Sequence, residues 1–399
     1  MFIKLIALLI ALIALPDAYI YAFYVKRWFK KKAHSLLFFL PSVCLVAYML
    51  IVRIGEAAEP SHQKAISIFM FVFLVICVPK AMFSIIDGIG RLISTRLKNE
   101  SKKNFTLRIF KISAMAFSLT AILILFTGFF WGRKHFVVHQ QTFVFDDLPD
   151  EFDGFRFVQF NDLHIGTFIG GHEKDVTTIV DMINAQNADA IMFVGDLVNY
   201  TAKELNGFED DLSRLHAKYG VYAVMGNHDY SEYIRYATEA EKADNIHQLQ
   251  KGEKLFGWNL LLNDNAIIRI GNDSIAVIGS ENDGRPPFPH LGDLKKAMKG
   301  IDKGTFCIMM SHDPTHWRRN ILPETDVQLT LAGHTHAGQF KVLGWSPVAF
   351  VYDEWSGPYS VGKQMINVSD GVGAVLFPFR FGAWPEINVI TLKKSTNKS

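Results

Sequence analysis

The stretch Val221-Tyr222-Ala223-Val224-Met225-Gly226-Asn227-His228-Asp229 contains the pattern that decides the fold. Its first five residues are apolar and predict a buried β-strand. The glycine allows tight backbone geometry and leaves room for a ligand. Behind it stand an amide that can bind a hard metal ion, an imidazole, and a carboxylate that can orient the imidazole. The stretch therefore predicts a strand that ends in a chemically active turn.

Four other apolar runs end in the same way. Their turns are Asp162-Leu163-His164, Gly195-Asp196-Leu197-Val198-Asn199, Ser311-His312-Asp313 and Gly333-His334-Thr335-His336. In open α/β sheets ligands gather at the carboxyl ends of strands, where loops can carry Asp and His side chains that strand interiors do not easily host. We therefore expect the five turns to meet at one place.

Short apolar runs alternate with amphipathic stretches from about Val137 onward, which predicts an α/β domain. The expected strands are Phe155–Phe160, Ala190–Val194, Val221–Met225, Ala266–Ile270, Ile275–Ile278, Thr305–Met310 and Val327–Leu331. The expected helices are Glu173–Ala185, Lys203–Lys218, Leu291–Ile301 and most of Tyr230–Gly257. Because Tyr230–Gly257 follows the His228 turn directly, we expect it to form part of a lid or substrate wall. The tail from Leu343 is expected to add strands and loops, and its Trp345, Trp355 and Trp384 fit a substrate- or membrane-facing surface about as well as core packing.

The composition excludes some classes of protein. A formal net charge of +2 over 399 residues gives no case for a nucleic-acid surface. Three cysteines, all in apolar runs, predict no disulfide framework. The apolar share of 49% is high for a soluble protein, and the excess lies in the first third of the chain.

Four segments in that first third have the length and apolarity of transmembrane helices: Phe2–Val25, Ser35–Val52, Ala65–Ile86 and Ile112–Trp131. Basic residues concentrate in the first and third connections, which the positive-inside rule places in the cytoplasm. They are Lys26, Arg27, Lys30, Lys31 and Lys32, then Arg91, Arg96, Lys98, Lys102, Lys103, Arg108 and Lys111. The expectation is a multi-pass protein of the plasma or inner membrane, with a transmembrane region over residues 1–134 and an extracytoplasmic domain over 135–399.

Two charges, Asp17 and Lys80, fall well inside the predicted spans. A lone charge in the bilayer is unfavourable, so we expect the two side chains to meet as an ion pair. The alternative is that Lys80 extends to the inner interface, since it follows Pro79 near that side.

The polar residues of the five turns offer only nitrogen and oxygen donors, which suits Mn, Fe, Zn, Co or Ni. The donors exceed what one tetrahedral zinc needs and suit two ions that share a carboxylate, an arrangement that serves phosphoester hydrolysis. No Gly-x-Ser-x-Gly elbow stands at a strand–helix turn, and no Walker-type phosphate loop is present.

The five ordered motifs resemble the calcineurin-like metallophosphoesterase superfamily. Asn-Asp-Leu-His, Gly-Asp-Leu-Val, Gly-Asn-His-Asp-Tyr, Ser-His-x-Pro and Ala-Gly-His-Thr-His-x-Gly-Gln are similar to its bacterial membrane-associated branch, as is Phe377-Pro378-Phe379-Arg380-Phe381-Gly382. The resemblance covers about Phe155 to Ile390. It implies a four-layer αββα sandwich with two mixed β-sheets, behind the four-helix membrane region.

The resemblance also implies roles for the residues of the turns. Asp162, His164 and His336 would hold one metal ion, Asp196 would bridge, and Asn227, His312 and His334 would hold the second ion. His228 would act on the leaving-group oxygen, with Asp229 orienting it. The sequence departs from the family pattern at Asn199, where Asp is frequent, and at Asp313, where Asn is common in this branch; only small effects are expected.

The sequence therefore predicts a membrane-anchored, dinuclear metal-dependent phosphohydrolase, a phosphodiesterase or pyrophosphatase. Its position beside a bilayer favours lipid-linked or envelope phosphoesters as substrates. The alternative is a membrane sensor or scaffold whose domain binds metal or phospholigand without turnover, although the intact set of polar residues argues against that reading.

Overall fold

A computed structural model of the chain describes residues 2–29, 32–51 and 60–396. The chain divides into two compact units, one that holds the N-terminal helices up to Phe130 and one built from Trp131 onward.

The first unit, the membrane unit, contains helices and no β-strand in its described residues. Its helices are α1 (Phe2–Ile20), α2 (Lys26–Trp28), α3 (Lys32–Leu36), α4 (Leu40–Ile51), α5 (Pro60–Thr95) and α6 (Glu100–Phe130). Three helical stretches are long and apolar enough to cross a membrane: Leu8–Trp28, Lys64–Thr95 and Glu100–Lys134. A shorter apolar helix, His34–Met49, stands where the second span is predicted. The last two helices extend beyond the predicted apolar spans because polar helix-forming residues continue them.

The intramembrane ion pair predicted from the sequence is present. Lys80 Nζ lies 2.7 Å from Asp17 Oδ1 and donates to Ser42 Oγ at 3.3 Å. Asp17 is buried, so the ammonium group offsets a charge that would otherwise be costly in an apolar environment. A second buried carboxylate, that of Asp87, was not predicted; it accepts hydrogen bonds from Tyr19, Tyr24 and Arg91.

The second unit, the catalytic unit, is built on two six-stranded sheets. The strands are β1 (Val137–Phe145), β2 (Arg156–Phe160), β3 (Ala190–Val194), β4 (Val221–Val224), β5 (Asn259–Leu260), β6 (Asp264–Ile270), β7 (Asp273–Gly279), β8 (Phe306–Met310), β9 (Leu329–Ala332), β10 (Gly357–Val361), β11 (Gln364–Val368) and β12 (Glu386–Lys394). One sheet has the order β1-β12-β2-β3-β4-β5 and the other β10-β11-β9-β8-β7-β6. Both are mixed, because β2–β3–β4 and β7–β8–β9 run parallel while β12–β2, β6–β7 and β10–β11 pair antiparallel.

The two sheets pack face to face, and helices cover the outer faces. The shared core contains Phe157, Val194, Ile308 and Leu331. The helices of this unit are α7 (Glu173–Asn184), α8 (Glu209–Leu212), α9 (Glu239–Leu255), α10 (Leu294–Ala297) and α11 (Leu322–Glu324). The apolar side of α7 packs on the first sheet through Val176, Ile179, Val180 and Ile183. The four-layer sandwich with two mixed sheets is therefore confirmed.

Two helix predictions need correction. The stretch Lys203–Lys218 forms only a 3₁₀ turn and the short α8, because Gly207 takes a left-handed φ of 89° between them. The stretch Leu291–Ile301 shortens to α10, which begins where Asp293 caps the Lys296 amide. Neither change affects the strand ends that carry the predicted site.

Candidate metal centre

The five polar turns come together at the carboxyl ends of β2, β3 and β4 in one sheet and β8 and β9 in the other. Three groups of donor side chains each lie with their ligand atoms within 4.8 Å of one another. They are Asp162 with His164 and His336, His164 with Asp196 and His228, and Asp196 with His312 and His334. Strand pairing thus gathers side chains that are up to about 170 positions apart in the chain.

The turns have an unusual backbone. Five of the donor residues adopt left-handed φ angles: Asp162 (53°), His164 (44°), Asp196 (60°), His334 (71°) and His336 (50°). Such angles are uncommon for residues with a Cβ and persist where surrounding structure enforces them, often at functional sites. The close approach of turns also requires glycine, since a Cβ on Gly226 would lie 2.2 Å from Asp196 Oδ1.

The first donor set surrounds Asp162. Its Oδ1 lies 3.2 Å from His336 Nε2, and the Nε2 atoms of His336 and His164 are 3.0 Å apart. All three side chains are buried, and Asp162 Oδ1 accepts no hydrogen bond. Burial lowers the pKa of His164, which favours the neutral imidazole that a metal ion needs. A buried carboxylate oxygen that faces two imidazole nitrogens fits a divalent cation.

The second donor set surrounds Asp196. His312 Nε2 lies 3.1 Å from Asp196 Oδ2, while its Nδ1 donates to the Val194 carbonyl at 2.7 Å. That hydrogen bond directs Nε2 toward two carboxylates. Because the two carboxylates repel each other, a positive charge is needed between them. Burial alone would lower the pKa of His312, but Asp196 and Asp162 raise it to about 10. The positive charge that they hold on His312 is charge that a bound cation would replace.

Asn227 and His334 complete this second set. Asn227 Oδ1 faces His334 Nδ1 at 2.6 Å. Asp196 lies between the two sets, because its Oδ2 is 3.1 Å from His312 Nε2 and 3.6 Å from His164 Nε2. The residues present therefore fit the binding of divalent metal.

His228 is oriented by the backbone and not by its sequence neighbour. Its Nδ1 donates to the Asn199 carbonyl at 2.7 Å, and the ring of Tyr233 stacks on it at a centroid distance of 4.2 Å. His228 is partly exposed. The Nε2 atom is thus the nitrogen left for a ligand or substrate.

The expected role of Asp229 in orienting His228 is wrong. The Asp229 carboxylate accepts from four backbone amides, those of Asp196 and Gly226 at 2.8 Å, Leu197 at 2.9 Å and Val198 at 3.2 Å. Burial and the neighbouring Asp196 raise the pKa of Asp229, while the amides act in the opposite direction. Asp229 therefore shapes the turn that presents Asp196.

Three contacting residues were not among the predicted site residues. Tyr352 Oη lies 2.9 Å from His334 Nε2, and Tyr233 Oη accepts from Asn227 Nδ2 at 2.6 Å. The buried guanidinium of Arg380 lies 2.9 Å from His336 Nδ1. The sequence contains a signal for two of these residues. Tyr233 lies in the segment expected to form a lid or substrate wall, and Arg380 lies in the Phe-Pro-Phe-Arg-Phe-Gly motif.

Comparison with known proteins identifies the family. Residues 155–338 match a family model described as calcineurin-like phosphoesterase, and residues 2–133 match one described as probable calcineurin-like phosphoesterase, transmembrane domain. An uncharacterized metallophosphoesterase of Bacillus subtilis is 31% identical over 63% of this chain and 82% of its own length. The chain belongs to the calcineurin-like metallophosphoesterase family. It is accordingly a metallophosphoesterase, a hydrolase of phosphoester bonds, with an N-terminal membrane domain.

Other proteins are also similar to this metallophosphoesterase. A transmembrane protein with metallophosphoesterase domain of Danio rerio is 27% identical over 81% of this chain and 72% of its own length. Among solved structures, a phosphopantetheinyl hydrolase from Mycobacterium tuberculosis aligns with 55% of this chain and 89% of its own at a TM-score of 0.35 and 11% identity. That structural similarity carries no argument about substrate.

Proposed function

We propose that this metallophosphoesterase holds two divalent ions and hydrolyses a phosphodiester or pyrophosphate carried by a lipid or another envelope component. The observation that carries the proposal is the position of Asp196, whose Oδ2 lies within 3.6 Å of imidazole nitrogens from both donor sets. A carboxylate shared in this way is the feature that distinguishes a two-ion site from a single structural ion.

The proposed donor assignment is supported by the two sets of neighbouring side chains. Asp162, His164 and His336 would hold one ion, Asn227, His312 and His334 the other, with Asp196 between them. The nitrogen and oxygen donors suit Mn, Fe, Zn, Co or Ni. When bound, two such ions activate water and stabilise negative charge on phosphoryl oxygens.

His228 is assigned to the leaving group. Its Nδ1 is held by the Asn199 carbonyl, so a proton on Nε2 points into the site. Burial lowers the pKa of His228, which makes its imidazolium a better proton donor. Tyr233 stacks on the ring and restricts its rotation.

The substrate class and the side of the membrane rest on the membrane domain. The boundary near residue 134, the extracytoplasmic side and the lipid-linked substrate belong to this proposal, which the basic first and third connections support. The side can be tested by labelling a single exposed cysteine in the catalytic unit with a membrane-impermeant maleimide in intact cells. Labelling only after lysis would contradict the extracytoplasmic placement.

The function is tested with purified full-length protein, manganese and bis(p-nitrophenyl) phosphate, with metal analysis of the same sample. Asp196→Asn should lower both turnover and metal content, whereas His228→Ala should lower turnover by about 10²- to 10⁴-fold and keep the metal. The matched controls are Asp302→Asn and His247→Ala, because both side chains are exposed. Stoichiometric metal without turnover in the unaltered protein would support the sensor alternative instead.

A further inference from the structure

An exposed apolar surface lies beside the metal centre. Its most exposed side chain is Leu343, which is 101% exposed, followed by Phe350 at 83% and Val351 at 64%. Trp345 and Val342, at 48% and 41%, complete the group. The stretch from Val342 to Tyr352 contains no charged residue. We call these five apolar side chains the apolar rim; such exposed groups indicate a binding surface.

The backbone of the rim is strained at the exposed Leu343. Val342 and Trp345 form a two-residue hairpin through amide–carbonyl bonds of 2.9 and 3.1 Å. The turn residues Leu343 and Gly344 both take left-handed φ angles, 51° and 79°. Such turns favour Asn-Gly, and leucine is unfavourable at a positive φ. Neither folding nor solubility in water accounts for a fully exposed leucine at this position.

The rim is attached to the turn that carries two proposed metal ligands. Ser346 Oγ donates to the Ala337 carbonyl at 2.7 Å, directly after His336. Tyr352, at the other end of the stretch, contacts His334 Nε2 at 2.9 Å. Phe350 and Trp345 pack edge to face at 5.6 Å, so the exposed rings hold a defined arrangement. The rim and the site are therefore parts of one local structure.

Because the chain has its own membrane helices, a lipid bilayer is an apolar phase that the rim can reach. Helix α6 ends at Phe130 and β1 begins at Val137, so about six residues, or at most about 20 Å of extended chain, connect the units. Tryptophan with phenylalanine and leucine is the composition of segments that enter membrane interfaces. A single projecting hairpin of this composition suits insertion between lipids.

We propose that the apolar rim enters the acyl region of a lipid bilayer and presents the metal centre to phosphoesters borne on lipids at that surface. The first part concerns membrane contact alone. The second part rests on the proposed phosphohydrolase function.

The membrane contact is tested on full-length protein labelled with 5-fluorotryptophan, one copy per nanodisc of phosphatidylcholine and phosphatidylglycerol. The chain has seven tryptophans, and the ¹⁹F resonance missing in Trp345→Phe belongs to Trp345. A nitroxide on the lipid acyl chain should broaden that resonance, and a water-soluble gadolinium chelate should not. The fully buried Trp317 should respond to neither probe.

A charge at the hairpin tip should reverse this result. Leu343→Asp is expected to lower the equilibrium constant for insertion by about ten-fold or more, so that Trp345 becomes sensitive to gadolinium. The matched control is Leu255→Asp, at a leucine that is 73% exposed outside the rim, and it should change nothing. Broadening of Trp345 by gadolinium alone, or by neither probe, would overturn the proposal, the latter because protein would then cover the rim.

Activity on bis(p-nitrophenyl) phosphate separates the two parts. This soluble ester needs no membrane contact, so Leu343→Asp should retain its hydrolysis within about two-fold. Lipid contact without turnover by the unaltered protein would contradict the proposed function and leave the membrane contact standing. Turnover without lipid contact would contradict the rim proposal only.

Discussion

The clearest test of the site's construction is Asp229→Asn. The Asp229 carboxylate accepts from the amides of Asp196, Leu197, Val198 and Gly226. Asparagine retains one acceptor oxygen, so two buried amides would lose their partner and face an NH₂ group. Each such loss costs about 1.5–3 kcal/mol for a bond to a charged acceptor, which gives about 3–6 kcal/mol in total.

That loss is a large part of the stability of a typical domain. For a unit of this size it corresponds to a fall in melting temperature of about 6–24 °C. We would follow intrinsic fluorescence on heating in detergent, with the exposed Asp210→Asn as control. A variant with an unchanged melting temperature and a turnover defect equal to that of His228→Ala would contradict this role of Asp229, because it would indicate that Asp229 orients His228.

Three other changes probe different parts of the molecule. Tyr352→Phe removes the hydroxyl beside His334 Nε2 and should weaken manganese binding by about 10- to 100-fold in calorimetry, whereas a structural role alone would leave the metal affinity intact. Leu343→Asn places a favoured residue at the left-handed turn and should raise stability by about 1 kcal/mol, measured as a higher melting temperature; a lower one would contradict the strain argument. Exchange of the charges of Asp17 and Lys80 should restore the detergent stability that either single reversal lowers, and a double variant no better than the singles would contradict the pairing.

The strand ends were predictable because their signal is local. An apolar run followed by a glycine and an Asp, Asn or His predicts both a buried strand and the position of its carboxyl end. The order of five such turns is specific for the superfamily. Asp196 and Asn227 could be named from sequence for this reason. The observed β4 and α7 each end one residue before the predicted strand and helix, and this difference does not affect which side chains stand at the strand ends.

The roles of supporting residues were less predictable because their contacts are distant in sequence. Asp229 stands next to His228 in the chain, yet its carboxylate reaches amides 31 to 33 positions away. Tyr352 and Arg380 meet their histidines only after β9 and the tail have folded together. Adjacency in sequence therefore gave the wrong role for Asp229, since the 3₁₀ turn His228–Tyr230 directs neighbouring side chains in different directions.

Two buried side chains of opposite charge, Asp229 and Arg380, hold the turns through hydrogen bonds to the backbone. Asp229 accepts only from backbone amides around Asp196, and Arg380 donates to the carbonyls of Asp370, Gly371 and Gly373 as well as to His336. Removal of either charged side chain leaves several buried backbone groups without a partner, which lowers the stability of the fold whether or not metal is bound. Removal of a ligand such as His312 instead takes away a nitrogen donor that faces Asp196 and leaves these backbone hydrogen bonds in place. The supporting charged side chains should consequently govern folding, and the ligands should govern metal binding, so that variants of the two classes separate on a plot of melting temperature against metal content.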